Sequence, residues 1–319
     1  MRLLEGVAVM LGRSPRRPKS RTDEAEILYA RKRGKGREVL QLLEGLSEAG
    51  RNHTWRNRRW AVLISINMLF ALSFWFDVQL FEGSLTASRV LGFHFADPYS
   101  SFLVMLADRH IAVNLVIGAV TIALMWALLG GRGYCSWVCP YHLVAELAEK
   151  LHVALAKRGI VADHAFHRGI RSIFWVIFAV MAFVTGQTLF LTLNPIGILS
   201  RALIYGPSLA LGWVLLLLAF EVLYSRRAWC RYVCPIGLTF GFVGAEAPVR
   251  VVYDLERCAH EGECRKVCEV PHVLDMTIKG KAAAAHTDIG PDCTRCGLCV
   301  DACPTKSLNF EIKGLSAIL

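Results

Sequence analysis

Charged residues make up only 19% of this 319-residue chain, and acidic ones are the scarcer sign, 26 Asp and Glu against 36 Lys and Arg. Soluble domains carry about a quarter charged residues. With 54% hydrophobic residues and a mean hydropathy of +0.41, the chain is too apolar for a purely water-facing surface, and a membrane class is expected. Nor is a secretory leader expected. The short apolar stretch Val7 to Leu11 is followed, not preceded, by Arg13, Arg16 and Arg17, so no cleavable segment is expected. The spacing of a disulfide scaffold is missing too, because the eleven cysteines fall into tight C-x2-C and C-x3-C-P groups. That pattern points to metal or redox chemistry in a reducing compartment.

Four stretches are long and apolar enough to suggest membrane-crossing helices: about Trp60 to Leu80, Ala112 to Gly130, Ile173 to Leu193 and Ile204 to Tyr224. A span needs about 20 helical residues. Leu115 to Leu129 and Leu209 to Phe220 have almost no polar face, unlike buried helices of soluble domains. Lys and Arg gather before the first stretch, between the second and third, and after the fourth, which would place both termini in the cytoplasm of a bacterial inner-membrane protein. The expected fold is therefore a membrane all-α bundle of four transmembrane helices with a small α+β, bacterial ferredoxin-like C-terminal domain. Its divisions are a basic cytoplasmic tail over 1–59, the spans over 60–245 and the iron-sulfur domain over 246–319. The tail holds fifteen Lys and Arg against seven Asp and Glu. Beside a membrane this charge is read as attraction to anionic lipid; nucleic-acid binding is not expected.

An internal repeat ends each pair of spans. Tyr134-Cys135-Ser136-Trp137-Val138-Cys139-Pro140 and Trp229-Cys230-Arg231-Tyr232-Val233-Cys234-Pro235 share their cysteine offset and flanking aromatics. If helical, each pair would set both sulfurs on one face, one turn apart. Cys135, Cys139, Cys230 and Cys234 are candidate redox thiols, with an extra metal site, a thiol-disulfide relay, ligands near a quinone pocket and plain helix packing as alternatives. Asp77 and Glu221 are charged residues within expected spans, His142 is a candidate site residue, and His152, His164 and His167 are expected to face water.

The strongest motif is Cys293-x2-Cys296-x2-Cys299-x3-Cys303-Pro304, the bacterial ferredoxin run, in which three thiolates hold one cubane and the fourth serves the neighbouring cluster. Zinc sites use two separated pairs instead. A second run, Cys258, Cys264 and Cys268, fits the same template, except that Glu261 stands at the second cysteine position and Glu269 at the proline. Crossed pairing assigns Cys293, Cys296, Cys299 and Cys268 to one [4Fe-4S] cluster. It leaves Cys258, Cys264 and Cys303 to a second cluster, [4Fe-4S] or [3Fe-4S], whose fourth ligand is Glu261, His260 or none; the alternative is no second cluster there. Val251 to Tyr253 and Leu308 to Ile312 read as short strands enclosing these loops.

This combination resembles the NapH/MauN family of ferredoxin-type membrane proteins, through Cys135 to Pro140, Cys230 to Pro235, Cys258 to Leu274 and Cys293 to Pro304. The resemblance implies electron transfer between the quinone pool and a periplasmic system of nitrate reduction or methylamine utilisation. It implies a partner iron-sulfur protein or periplasmic redox enzyme, and a component of a quinol dehydrogenase-type system rather than a stand-alone enzyme, with no catalytic side chain of its own. The missing cysteine at Glu261 tilts the likeness toward MauN. The rival reading is a membrane assembly factor whose Cys-x3-Cys-Pro thiols handle metal or disulfides.

Overall fold

The computed structural model describes residues 3–13, 18, 20–33, 53–76, 81–84, 87–90 and 93–315. Two short helices, α1 (Leu3–Met10) and α2 (Asp23–Arg33), precede the long α3 (Thr54–Trp75) and an antiparallel meander of β1 (Phe81–Ser84), β2 (Ala87–Val90) and β3 (Phe93–Ala96). A helical body follows: α4 (Pro98–Asp108), α5 (Val113–Leu129), α6 (Gly133–Trp137), α7 (Pro140–Lys157), α8 (Ile170–Thr185), α9 (Leu189–Leu193), α10 (Pro195–Tyr205), α11 (Ala210–Leu223), a π turn at Trp229–Val233, and α12 (Pro235–Val243). The C-terminal unit pairs β4 (Val249–Asp254) with β5 (His286–Asp288) on one side and β6 (Leu308–Ile312) on the other, and carries α13 (Glu263–Val267) and α14 (Leu298–Ala302) on its cysteine loops. Both strands expected from the sequence are present and pair directly, Val251 opposite Phe310.

The described residues do not form the expected four-helix transmembrane bundle. Among the described residues no helix is long and apolar enough to cross a membrane. The first apolar stretch belongs to α3, whose opening turns carry Arg56, Arg58 and Arg59; the rest of that stretch, with Asp77, lies outside the described residues. The second is α5, whose 17 residues rise about 26 Å, short of the roughly 30 Å of a hydrocarbon core. The third breaks at Gly186, which takes a left-handed conformation and divides α8 from α9. The fourth breaks at Gly206-Pro207 into the end of α10 and the 14-residue α11. Unbroken hydropathy hid these breaks, because glycine and proline scarcely lower a windowed average. Without spans, the loop-charge argument for cytoplasmic termini loses its footing.

What organises the body is proline. Asp97, Cys139, Asn194 and Cys234 are all extended, and each precedes a proline that opens a helix. A residue before proline is driven out of the α region, while proline itself suits the first helical turn. The repeat is therefore longer than the cysteine motif. Each copy runs from an Asx-Pro helix (α4, α10) through an apolar helix (α5, α11) and a cysteine turn to a Cys-Pro helix (α7, α12). Asp97 and Asn194 occupy equivalent places and cap alike, Asp97 Oδ2 accepting from the Ser100 amide at 2.8 Å and Asn194 Oδ1 from the Ile196 amide at 3.1 Å.

The two copies meet backbone to backbone at Gly131 and Gly244. Gly131 has φ +52°, and a Cβ there would lie 2.5 Å from the Gly244 Cα. Both contact surfaces are main chain and cannot rotate away, so Gly131→Ala is expected to separate the copies. The expected result is a loss of about 1–3 kcal/mol of stability, read as a lower thermal midpoint, whereas Gly159→Ala, with nothing within 4 Å, serves as the comparison.

The N-terminal segment is not a solvated tail where it is described. Ala25 and Tyr29 are buried against the C-terminal unit, and the Tyr29 hydroxyl accepts from the Ala282 amide at 3.1 Å. Lys32 Nζ donates to the Leu255 and Cys258 carbonyls, both at 2.5 Å.

Candidate iron-sulfur sites

Cys268, Cys293, Cys296 and Cys299 line one small, apolar cavity floored by Val251, Leu274 and Ile289. Three of these thiols come from the tight loop before and within α14, and the fourth from the residue after α13. Gly297 turns the loop with φ +76°, and its missing Cβ admits Trp55. The Arg295 amide donates to Cys293 Sγ at 3.4 Å, the kind of N–H···S bond that supports a thiolate.

Cys264 lies within electrostatic reach of both Cys258 and Cys303. The His260 amide donates to Cys258 Sγ at 3.3 Å and the Ser307 amide to Cys303 Sγ at 3.3 Å. His260, with φ +59°, stacks on Tyr29 at 6.1 Å, and its Nδ1 lies 2.8 Å from the Thr277 carbonyl. That contact requires Nδ1–H as donor, which in the neutral ring leaves Nε2 with a lone pair; Nε2 is buried and without a hydrogen-bond partner among the described residues. Glu261 is partly buried, and burial followed by the neighbouring Glu263 raises its carboxyl above the usual range.

The Cys-x3-Cys-Pro motifs converge. Cys135, Cys139, Cys230 and Cys234 all line one cavity of about 400 Å³ between the helical body and the C-terminal unit. They do not sit on continuous helices as the spacing suggested. The first cysteine of each copy lies in a short turn, α6 or the π turn, and the second is extended, because the proline after it forbids helix there. Val270 and Thr294 line both this cavity and that of Cys268, Cys293, Cys296 and Cys299, so the two adjoin.

Two buried ion clusters wall the larger cavity. Glu269 Oε1 accepts from Arg59 Nη1 at 2.9 Å and faces His142 Nε2 at 3.0 Å and Arg227 Nη2 at 3.4 Å, while its Oε2 accepts from the Thr294 hydroxyl at 2.9 Å. Arg59 also pairs with Glu146 and Arg227 with Glu149. Asp292 pairs with Arg132, with Arg171 at 2.7 Å and with His272 at 2.8 Å. Burial alone would raise both carboxyls, but the cations outweigh it and hold them well below the carboxylate range, with Arg227 leading at Glu269 and Arg132 at Asp292. His142 thus belongs to a site wall. His152, expected to face water, is buried with Nδ1 2.7 Å from the Val222 carbonyl, and Glu221 is buried and accepts from the Trp229 amide at 3.0 Å.

Most of the thiols shift upward, whereas at Cys258 burial is outweighed by His260 and Tyr253, which hold it below the usual thiol value. Burial pushes Cys296 up to about 12 and Cys264 to about 11, and raises Cys139 and Cys230 well above the usual thiol value. Thiols so shifted have little thiolate to attack a disulfide, whereas a metal deprotonates them on binding. Among the described residues no three His, Cys, Asp or Glu side chains converge tightly enough for a single metal ion. Soft sulfur donors spread around enclosed cavities suit a polynuclear iron-sulfur group.

Comparison with known proteins agrees. A family described as "4Fe-4S binding domain" matches residues 111–159 and 205–248, and a second family of the same description matches 291–309. The chain binds iron-sulfur clusters. The ferredoxin-type protein NapH of Haemophilus influenzae is 33% identical over 256 residues, covering 78% of this chain and 87% of that protein. NapH of Escherichia coli is 30% identical over 281 residues, with 86% and 93% covered. The methylamine utilization ferredoxin-type protein MauN of Methylorubrum extorquens is 32% identical over 281 residues, with 86% and 95% covered. No solved structure matches.

Proposed function

The chain belongs to the NapH/MauN family of ferredoxin-type electron-transfer proteins, and on that premise we propose that its eleven cysteines serve three adjoining iron-sulfur sites through which it joins a hydroquinone pool to a partner redox protein. The carrying observation is the cavity shared by Cys135, Cys139, Cys230 and Cys234, two thiols from each repeat. Each segment matched by the 4Fe-4S family contains one of those pairs and no other cysteine. A four-thiolate set therefore requires both segments, and the fold brings them together.

Cys268, Cys293, Cys296 and Cys299 make up the second set, and Cys258, Cys264 and Cys303 the third. We assign the third site's open position to His260, whose donating Nδ1 and unpartnered Nε2 match the tautomer of a metal-ligating histidine. Iron-sulfur clusters, when bound, take up and release single electrons at potentials set by ligands, charge and burial. The protein excludes water from the thiols, supplies amide donors to their sulfurs, and sets Arg132, Arg171 and Arg227 around the four-thiol cavity, where positive charge favours the reduced form.

The apolar faces of α5, α8 and α11 support a lipid neighbour. Leu128, Val184 and Leu215 are 63–69% exposed, and Leu209 is fully so. An apolar surface on this scale is covered by another apolar phase, here the hydrocarbon of a bacterial membrane, which also holds the hydroquinone. The redox partner is of the kind used in methylamine utilisation or nitrate reduction.

The test is iron and sulfide analysis with EPR of the anaerobically purified full chain. Three clusters give about ten to twelve irons per chain, and a four-iron count with one signal would remove two of the three sites. In the Cys139→Ser, Cys234→Ser variant the expected loss is about four irons, with the reduced signal of the C-terminal sites retained.

A further inference from the structure

A second cavity, of about 260 Å³, lies beside the four-thiol cavity and is used by none of the cluster sites. Its walls include Ile66, Phe70, Ile122, Trp126 and Phe240. Tyr134 and Val138, the residues immediately before Cys135 and Cys139, also line it, so it abuts the first cysteine motif. Two buried polar groups interrupt the apolar lining. The Asp97 Oδ1 and the Tyr134 hydroxyl are both enclosed and have no hydrogen-bond partner among the described residues. Leaving such groups unsatisfied costs stability, so a ligand that pairs with them gains it.

The cap at α4 does not explain Asp97. Its Oδ2 alone does the capping, and Asn194 performs the same task in the other repeat copy without a charge. A carboxyl here brings one property an amide lacks, the ability to take a proton. Burial, only partly offset by the bonds from Ser100, pushes Asp97 up to about 6, the range suited to a proton acceptor near neutral pH.

We propose that this cavity holds the headgroup of the hydroquinone, with Asp97 accepting its proton and Tyr134 donating a hydrogen bond to the opposite oxygen; the assignment rests on the hydroquinone reading above. The ligand's chemistry suits the lining, an apolar ring among apolar side chains and two oxygens for the two unpaired polar groups. On oxidation, the O–H bond facing Asp97 breaks and its proton passes to Oδ1. Asp97 then releases that proton to water, and the proton on the opposite oxygen passes to water directly as the second electron leaves. The two electrons pass one at a time to the neighbouring iron-sulfur groups, which are reduced as the hydroquinone becomes quinone.

The test uses the full, iron-loaded chain in lipid nanodiscs and a short-chain benzoquinone. Binding of the oxidised quinone is measured by equilibrium partition, and bleaching of the cluster absorbance is followed after anaerobic addition of its hydroquinone. Asp97→Asn is expected to keep the cap, the iron content and the quinone affinity, and to slow bleaching at saturation about a hundredfold. Ile66→Phe, which fills the cavity, is expected to weaken quinone binding about tenfold. Wild-type rates and affinities in both variants would overturn the cavity assignment alone. A wild-type protein that dithionite bleaches and hydroquinone does not would overturn the hydroquinone reading itself, and the cavity assignment with it.

Discussion

Glu269→Ala is expected to lower stability by about 3–5 kcal/mol, seen as a fall of about 10 °C in the thermal midpoint of the protein. The reason is what the substitution leaves behind. Arg59, Arg227 and His142 are all buried and all face one Glu269 oxygen, and the Thr294 hydroxyl donates to the other. Arg59 would retain Glu146 and Arg227 would retain Glu149. Three cationic or ionisable groups would nevertheless lose their shared counter-charge in a place water cannot reach. Removing one member of a buried ion cluster costs far more than the cluster contributes relative to an apolar replacement. The double variant Arg59→Ala, Glu269→Ala separates the two effects. It should cost less than the sum of the singles by about 1–3 kcal/mol, as groups in one network do; strict additivity would show that Glu269 acts elsewhere. Because Glu269 follows Cys268, the same variant should loosen the join between the helical body and the C-terminal unit, measurable as faster proteolysis after residue 245.

Glu269 also shows how far the sequence could be read. On the ferredoxin template it is a departure, a carboxylate in the place of proline, and nothing local says why. Its partners Arg59, His142 and Arg227 are 210, 127 and 42 residues away along the chain, so only the fold reveals that the substitution is an anchor. The cysteine spacing, by contrast, is local. The tight loop that a cluster requires is written in consecutive residues, and Cys293, Cys296 and Cys299 do share a cavity with the distant Cys268. The two strands that frame these loops were legible for the same reason, since the β-branched and aromatic run Val251 to Tyr253 and the alternation of Leu308 to Ile312 are both local.

The helical body was legible only in part. Average hydropathy marked where apolar residues lie but not where helices stop, and the breaks at Gly186 and Gly206-Pro207 turned expected spans into shorter helices. The signal that was present and not weighed is the recurrence of Asx-Pro and Cys-Pro dipeptides. Asp97-Pro98 with Asn194-Pro195, read alongside Cys139-Pro140 with Cys234-Pro235, gives the longer repeat unit directly. That unit explains why the four motif cysteines converge: repeats that place each second cysteine at an equivalent helix start bring the pairs face to face.

Cys296→Ala is expected to have the largest effect of any single thiol replacement in the C-terminal unit. Cys296 is buried and stands at the centre of its loop, between the thiols of Cys293 and Cys299. The unit is small, and its buried residues include Cys258, Cys299 and their neighbours, so the cysteine loops are themselves part of the core. In such a unit the free energy of cluster binding is folding free energy. Losing one thiolate of four should therefore remove about four irons per chain and, with them, the order of the loop that presents Thr294 and Arg295 to the helical body. Those residues accept from the Ser136 hydroxyl at 2.6 Å and from Trp137 Nε1 at 3.0 Å, and Arg295 donates to the Gly130 carbonyl. The damage should then reach the first cysteine motif, which Ser136 and Trp137 lie within. Iron analysis and hydrogen exchange would show it together: faster exchange over 293–303 and also over 130–139 is the expected pattern. Cluster loss with the 130–139 amides still protected would mean that the four-thiol site is held by the helical body alone. Cys139→Ser, acting from the other side, should leave the C-terminal amides protected, because Cys139 lies on the helical body and no hydrogen bond of its thiol reaches the C-terminal loops among the described residues. The order of dependence would then run from the ferredoxin-like unit to the four-thiol cavity and not back.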